Sequence, residues 1–224
     1  MHFLALASDY DGTLAGNGVV DASTVRALER WQGAGGRLIL VTGRELPDLK
    51  RIFPQMEIFD SVVAENGGVL FEPRANFHVR LADPPSRGLI RELKRRGLQD
   101  LNIGETIIDT ERSEETVVRN AIRDCAPELR IILNKNSLMV LPAGVDKGTG
   151  LAHALARMQL PRERVVAVGD AENDVELFEC CGYRVAVANA IPDLQQRADW
   201  ITSQPCGAGV AELVERLLSC DGPL

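Results

Sequence analysis

Two carboxylates one residue apart follow an apolar run near the start of the chain. Asp9-Tyr10-Asp11-Gly12-Thr13 comes directly after Phe3-Leu4-Ala5-Leu6-Ala7 and Ser8. Such a run reads as a strand covered on both faces, as inside a parallel sheet, whose carboxyl ends form the usual ligand crevice. Carboxylates alternating on an extended segment suit a hard cation held by oxygen, and one of them is also able to attack phosphorus. The same pentapeptide suits a polar turn in which Asp side chains bond their own backbone. The rest of the chain must decide between these readings.

A second run, Val165-Val166-Ala167-Val168, ends in Gly169-Asp170 and continues Ala171-Glu172-Asn173-Asp174, repeating the layout. Strands of a parallel sheet end on one side, so Asp9, Asp11, Asp170 and Asp174 are candidates to surround one Mg2+, which takes carboxylate, water and phosphate oxygens. Capping of a helix start would account for the second segment equally simply. Thr42-Gly43-Arg44 closes a third apolar run and offers a hydroxyl and backbone amides to an anion, or merely caps a helix. Lys147 falls at the N-terminal end of an expected helix, where a cation opposes the helix dipole. A phosphate outside the helix would explain that placing, although most lysines are simply solvated.

The elements that would carry these residues alternate. Residues 21–32 read as a helix with Val25, Leu28 and Trp31 on one face, ended by the glycines at 33–36. Strands are expected at 37–42 and 61–64, a short helix opens at Pro47, and residues 69–71 with 77–81 suit a hairpin. Composition shifts at Asp83-Pro84-Pro85. Beyond it come a helix (86–96), a strand (101–109), a helix (113–125) and a strand pair (129–133, 137–141) around Asn134-Lys135-Asn136. Alternation resumes with a helix to residue 159, a strand at 164–168, a helix at 173–181, a strand at 183–188, an edge strand near 200 and a last helix from about 208.

Composition narrows the function classes. A chain of 224 residues, 45% hydrophobic and 25% charged, can bury one large core and a smaller one. Its net charge of -7 argues against a general nucleic-acid or anionic-membrane binder, so the expected partner is a small molecule. No apolar run approaches the roughly 20 residues of a spanning helix, and no signal segment is evident, so the expected location is cytoplasmic. Five cysteines, including the adjacent Cys180 and Cys181, show neither a paired framework nor zinc spacing and are expected to be free and mostly buried. None of His2, His78 and His153 adjoins a motif, and none is assigned to catalysis.

The four segments at Asp9–Thr13, Thr42–Arg44, Lys147-Gly148 and Gly169–Asp174 stand in the order used by the haloacid dehalogenase superfamily of phosphotransferases, which the chain resembles over nearly its whole length. The spacing is most similar to members with an α/β cap of the second kind: the Cof-like sugar phosphatases, sucrose-phosphate phosphatase and the archaeal phosphoglycolate phosphatases. Glu65-Asn66-Gly67-Gly68 looks like the ENG segment of that branch. The resemblance implies an α/β fold: a Rossmann-like core of residues 1–82 and 143–224, with a parallel sheet and helices on both faces. Residues 83–142 would form a small inserted α+β cap.

It also implies roles. Asp9 would be the nucleophile and Asp11 the acid/base. Mg2+ would be held by Asp9, Asp170, Asp174 and the backbone carbonyl of Asp11. Thr42, Gly43, Lys147 and Asn173 would hold the phosphate, with Arg44 and Asn66 as further substrate contacts. The implied function is a magnesium-dependent phosphatase acting through an aspartyl-phosphate on a small soluble phosphomonoester, a sugar phosphate or phosphoglycolate. The alternatives are a phosphomutase resembling the phosphomannomutases and a non-catalytic module that binds a phosphorylated ligand.

Overall fold

The computed structural model describes residues 3–219. The chain begins with β1 (Ala5–Ser8), α1 (Ala22–Gly33), β2 (Arg37–Val41), α2 (Leu46–Ile52) and β3 (Ser61–Ala64), then the hairpin of β4 (Val69–Glu72) and β5 (Phe77–Arg80). A second set follows: α3 (Arg87–Arg95), β6 (Asn102–Ile103), β7 (Ile108–Glu111), α4 (Glu115–Cys125), β8 (Leu129–Asn134) and β9 (Ser137–Pro142). The chain closes with α5 (Lys147–Met158), β10 (Val165–Gly169), α6 (Val175–Glu179), β11 (Tyr183–Ala186), α7 (Pro192–Gln195), β12 (Trp200–Ile201) and α8 (Cys206–Ser219).

Eight strands form one sheet in the order β12-β11-β10-β1-β2-β3-β4-β5, parallel from β12 to β3 and antiparallel at the β4–β5 edge. From β1 the chain winds outward to β3, then returns to β10 on the other side of β1. Right-handed crossovers in opposite directions place their helices on opposite faces. Accordingly α1 packs with α8, while α5 packs with α6. A sheet covered twice needs strands apolar on both faces, and Ala5, Leu6, Ala7, Leu38, Ile39, Leu40 and Val165 through Val168 are all fully buried. The reversal of strand order beside β1 is the switch point where a doubly wound sheet opens its crevice.

Four antiparallel strands, in the order β6-β7-β9-β8, form a second sheet. Strand β9 alternates in a way that explains its burial. Leu138 and Val140 join Leu89 and Leu93 of α3 and Val118 and Ile122 of α4 in a core of their own. Met139 and Leu141 join Ile107 on the opposite face. Ser86 starts α3 by accepting from the Leu89 amide at 3.1 Å.

The single strand expected at 101–109 is instead the two strands β6 and β7 around a turn at 104–107. The cause lies outside the strand. The Glu65 carboxylate, fully buried after β3, accepts from the amides of Glu105 (2.9 Å) and Thr106 (2.7 Å) and from the Thr106 hydroxyl (2.9 Å). Bonds to a buried carboxylate are stronger than the neutral strand bonds they replace. To reach that turn, Glu65 and Asn66 both adopt left-handed backbone, at φ 51° and 52°. Gly67 follows at φ 110°, and a Cβ there would lie 2.0 Å from the Asp146 carbonyl oxygen, so only glycine fits.

Other differences are local. Tight turns at Arg112–Glu114 and Glu172–Asp174 shorten the expected helices into α4 and α6, and α8 starts at Cys206. Helix α7 has only four residues, too few for periodicity to register. The expectation of mostly buried thiols is not met: Cys125 is exposed, Cys180, Cys181 and Cys206 are half-buried, and all four are free. Cys220 and His2 lie outside the described residues. Among the described residues no helix is long and apolar enough to cross a membrane.

Glu65→Ala would strand three donors of the turn, a loss expected to cost about 2–4 kcal/mol in urea unfolding. Hydrogen exchange at the Glu105 and Thr106 amides should accelerate together. Unchanged protection there would mean that something other than Glu65 holds the turn.

Candidate active site

The Asp9 amide donates to the Val168 carbonyl at 3.0 Å, which holds the end of β1 level with the end of β10. Lys147 approaches from the first residue of α5, whose start is fixed by reciprocal bonds between Asp146 and Thr149. Its side chain is fully buried and donates to Asp9 Oδ1 at 2.5 Å and Asp174 Oδ1 at 2.6 Å. A lysine at a helix N-terminus calls for a negative partner. The structure gives it two internal carboxylates, which take two of its three ammonium protons. Burial would lower the Lys147 pKa, but the charges of Asp174 and Asp9 outweigh it and hold the ammonium well above the ordinary lysine value.

Oxygens of Asp9, Asp170 and Asp174 lie within 4.8 Å of one another, all buried. Asp174 Oδ2 accepts from the amides of Asp170 (2.9 Å) and Ala171 (3.0 Å), so this residue also shapes the loop after β10. Asp170 accepts from the Thr13 hydroxyl at 3.0 Å and from Lys135 Nζ at 2.5 Å. Burial pushes the Asp9 carboxyl well above its ordinary value against the pull of Lys147, with the charges of Asp174 and Asp170 adding to the rise. Burial and then the Asp174 charge also raise Asp170. Three carboxylates thus face two ammonium groups, and the all-oxygen donor set fits a hard divalent cation. The Asp11 side chain is not in the cluster.

Asp11 faces Arg44 instead. Arg44 donates from Nε to Asp11 Oδ2 at 2.7 Å, from Nη2 to Asp11 Oδ1 at 2.8 Å and from Nη1 to Asp48 at 2.6 Å, and sits 5.5 Å from the Tyr10 ring centroid. The hydrogen bond to Asp11 is the main cause that raises the guanidinium above its ordinary value. Thr42 is buried and its hydroxyl accepts from the Arg44 amide at 3.1 Å. Asn173 Nδ2 donates to Asn66 Oδ1 at 2.9 Å. Asn66 Nδ2 and Asn173 Oδ1 are buried and have no partner among the described residues. Unpaired buried amide atoms of this kind are costly unless a ligand meets them.

Asp9, Asp11, Arg44 and Asp48 open into a cleft of about 610 Å³ between the two sheets. Asp9, Asp11, Gly43 and Arg44 form one wall, and Asp109 and Met139 belong to the other. Two site residues were missed in the sequence. Glu65 was seen only as part of its segment, and Lys135 only as a hairpin turn, although a lysine in left-handed backbone (φ 51°) at a two-residue tip projects away from its own sheet. The Lys135 amide also donates to Glu172 at 3.2 Å, so the tip docks beside Asp170. His78 pairs with Glu105, and His153 lies on α5.

Residues 6–94 and 90–214 match the family profile of the haloacid dehalogenase-like hydrolases. The phosphoglycolate phosphatase of Methanothermobacter thermautotrophicus is 34% identical over 96% of this chain and 98% of its own length. That of Metallosphaera sedula is 30% identical over 96% and 98%. Among solved structures, a haloacid dehalogenase-like hydrolase from Bacteroides thetaiotaomicron is alike in fold, with a TM-score of 0.82 at 21% identity over 96% of this chain and 99% of that one.

Removing the buried ammonium would leave Asp9 and Asp174 without their counter-charge. Lys147→Met is therefore expected to cost about 3–5 kcal/mol near neutral pH. The loss should shrink on acidification, as protonated carboxyls no longer need the cation. Urea unfolding at two pH values measures both, and a pH-independent loss would assign Lys147 a packing role alone.

Proposed function

Since the chain belongs to the haloacid dehalogenase-like hydrolases, we propose that it is a magnesium-dependent phosphatase that hydrolyses a small soluble phosphomonoester through an aspartyl-phosphate. As a phosphoric monoester hydrolase it needs a nucleophile, a proton carrier and counter-charge for the phosphoryl group. The observation that carries the reading is the buried cluster of Asp9, Asp170 and Asp174 with Lys147, whose Asp9 lines an open cleft. Residues 83–142, which hold the second sheet, act in this reading as the cap over the core.

The chain's own residues divide the work. Asp9 Oδ1 is held by Lys147, while its other oxygen accepts no hydrogen bond among the described residues and is the atom that attacks phosphorus. The bond from phosphorus to the leaving oxygen breaks as the Asp9–phosphorus bond forms. Asp11, with one oxygen released from Arg44 and protonated, gives that proton to the leaving oxygen, then takes one from the water that cleaves the aspartyl-phosphate and releases inorganic phosphate. The Arg44 fork sets where the Asp11 carboxyl stands. Lys147, Thr42, Gly43, Asn66 and Asn173 meet the phosphate oxygens, which would satisfy the unpartnered Asn66 amide. Mg2+, bound by Asp9, Asp170, Asp174 and the Asp11 carbonyl, would supply the positive charge that lets a carboxylate approach a phosphate dianion. Phosphoglycolate and sugar phosphates are the two substrate classes this reading leaves open.

Metal-loaded protein should release phosphate from p-nitrophenyl phosphate, and Asp9→Asn should lower kcat by at least about a thousandfold, as loss of a nucleophile does. Full turnover by Asp9→Asn would remove the aspartyl-phosphate mechanism. Formation of an isomeric sugar phosphate without phosphate release would make the protein a mutase.

Metal dependence also has a thermodynamic reading. Because the Asp9 and Asp170 carboxyls are raised in the folded protein, the native state retains protons that the unfolded chain has shed. Metal-free protein should lose stability as the pH climbs from the ordinary carboxylate range through those raised values. Thermal melts should show that slope flattened by saturating Mg2+, and an identical slope with and without the ion would place metal binding elsewhere.

A further inference from the structure

The cleft is built asymmetrically with respect to charge. Of the residues that line it, Asp9, Asp11, Glu45, Asp48 and Asp109 are acids and Arg44 is the one base. Arg44 is already committed, donating to Asp11 and Asp48. The two nearby lysines are committed as well, Lys147 to Asp9 and Asp174 and Lys135 to Asp170. No cation among the lining residues is left for an anionic leaving group.

The acceptors are correspondingly placed. Glu45 precedes α2 but makes no side-chain cap to that helix, so its carboxylate is free to face the cleft. Burial raises its pKa, and the charges of Glu65, Asp48 and Asp109 add to the rise, which puts Glu45 of the core and Asp109 of the cap within electrostatic reach of one another. Asp109 accepts from the Ser137 hydroxyl and remains raised by its own burial. Asn134 Oδ1 is buried without a partner among the described residues. Acceptors from two sides thus meet one volume, and the donors beside them are the neutral side chains of Asn102, Asn134, Asn136 and Ser137, of which Asn102 and Ser137 already serve Asp109. A ligand rich in donors completes such a site, whereas a carboxylate would add like charge in a poorly solvated space.

We propose that the leaving group taken by this cleft is rich in hydrogen-bond donors and carries no carboxylate: a polyol or amino-polyol phosphate, read by Glu45 and Asp109, and not a phosphorylated carboxylic acid. The inference rests on the phosphatase reading and chooses between the two substrate classes it leaves open. Asp109 and Glu45 act on specificity and take no part in the bond changes at phosphorus.

Matched pairs of substrates test it on the native, Mg2+-loaded full chain. 2-Hydroxyethyl phosphate and phosphoglycolate differ only in a hydroxymethyl against a carboxylate, as do glycerol 3-phosphate and 3-phosphoglycerate. The alcohol of each pair should have a kcat/KM at least about tenfold higher. In Asp109→Asn and Glu45→Gln that ratio should fall, chiefly through a lower KM for the carboxylate. p-Nitrophenyl phosphate is measured alongside. If it is hydrolysed and the carboxylates are used as well as or better than the alcohols, the inference is overturned and the phosphatase reading stands. If neither it nor any phosphomonoester is hydrolysed, both fall. Since the comparison is made first on the native chain, it does not depend on either variant folding.

Discussion

One ammonium ion placed among buried carboxylates is the constraint around which the larger sheet is organised. Lys147 bonds Asp9 at the end of β1 and Asp174 beyond the end of β10, so three segments far apart in the chain are tied at one point. Buried charges are tolerated only when paired and hydrogen-bonded. Each partner therefore has its own support: Asp9 its backbone bond to Val168, Asp174 the amides of Asp170 and Ala171, and Lys147 the capped start of α5. Even so the negative charge is in excess. That excess is a structural cost and also the reason the site is suited to a divalent cation and, beyond it, to phosphate.

Among the polar contacts that attach the smaller sheet to the larger one, two stand close to this centre. On one side, the Glu65 carboxylate gathers the turn between β6 and β7 and adjoins Asn66, which meets Asn173 in the candidate phosphate site. On the other, the β8–β9 tip places Lys135 on Asp170. Both attachments are charge-assisted, which makes them short and directional, and both reach residues next to the cluster. The smaller sheet has its own apolar core, and these contacts shape its β6–β7 turn and orient it over the cleft.

Arg44 joins the two halves of the proposed chemistry. Its fork fixes Asp11 away from the metal cluster and toward the cleft, where a leaving oxygen would need a proton. The same engagement consumes the one positive charge on the cleft wall. Positioning the proposed acid/base and excluding anionic leaving groups are thus two results of a single set of hydrogen bonds.

The amino-acid pattern alone determined the alternation of elements and the residues at strand ends. Runs such as Leu38 to Val41 and Val165 to Val168 are apolar on both faces, which only a doubly covered sheet accommodates, and polar residues follow where the strands end. Asp9, Thr42, Asp170 and Lys147 were legible for that reason, because position at a strand or helix end is a local property. Tertiary structure decided what each side chain touches. Lys147 faces internal carboxylates, Asp11 an arginine, and residues 101–109 break into a hairpin because Glu65, some forty residues earlier in the chain, offers stronger acceptors than continued strand pairing would. Such bonds depend on two distant segments arriving at one place with the right geometry, and burial then multiplies their strength. A pattern read along one chain carries no record of that meeting.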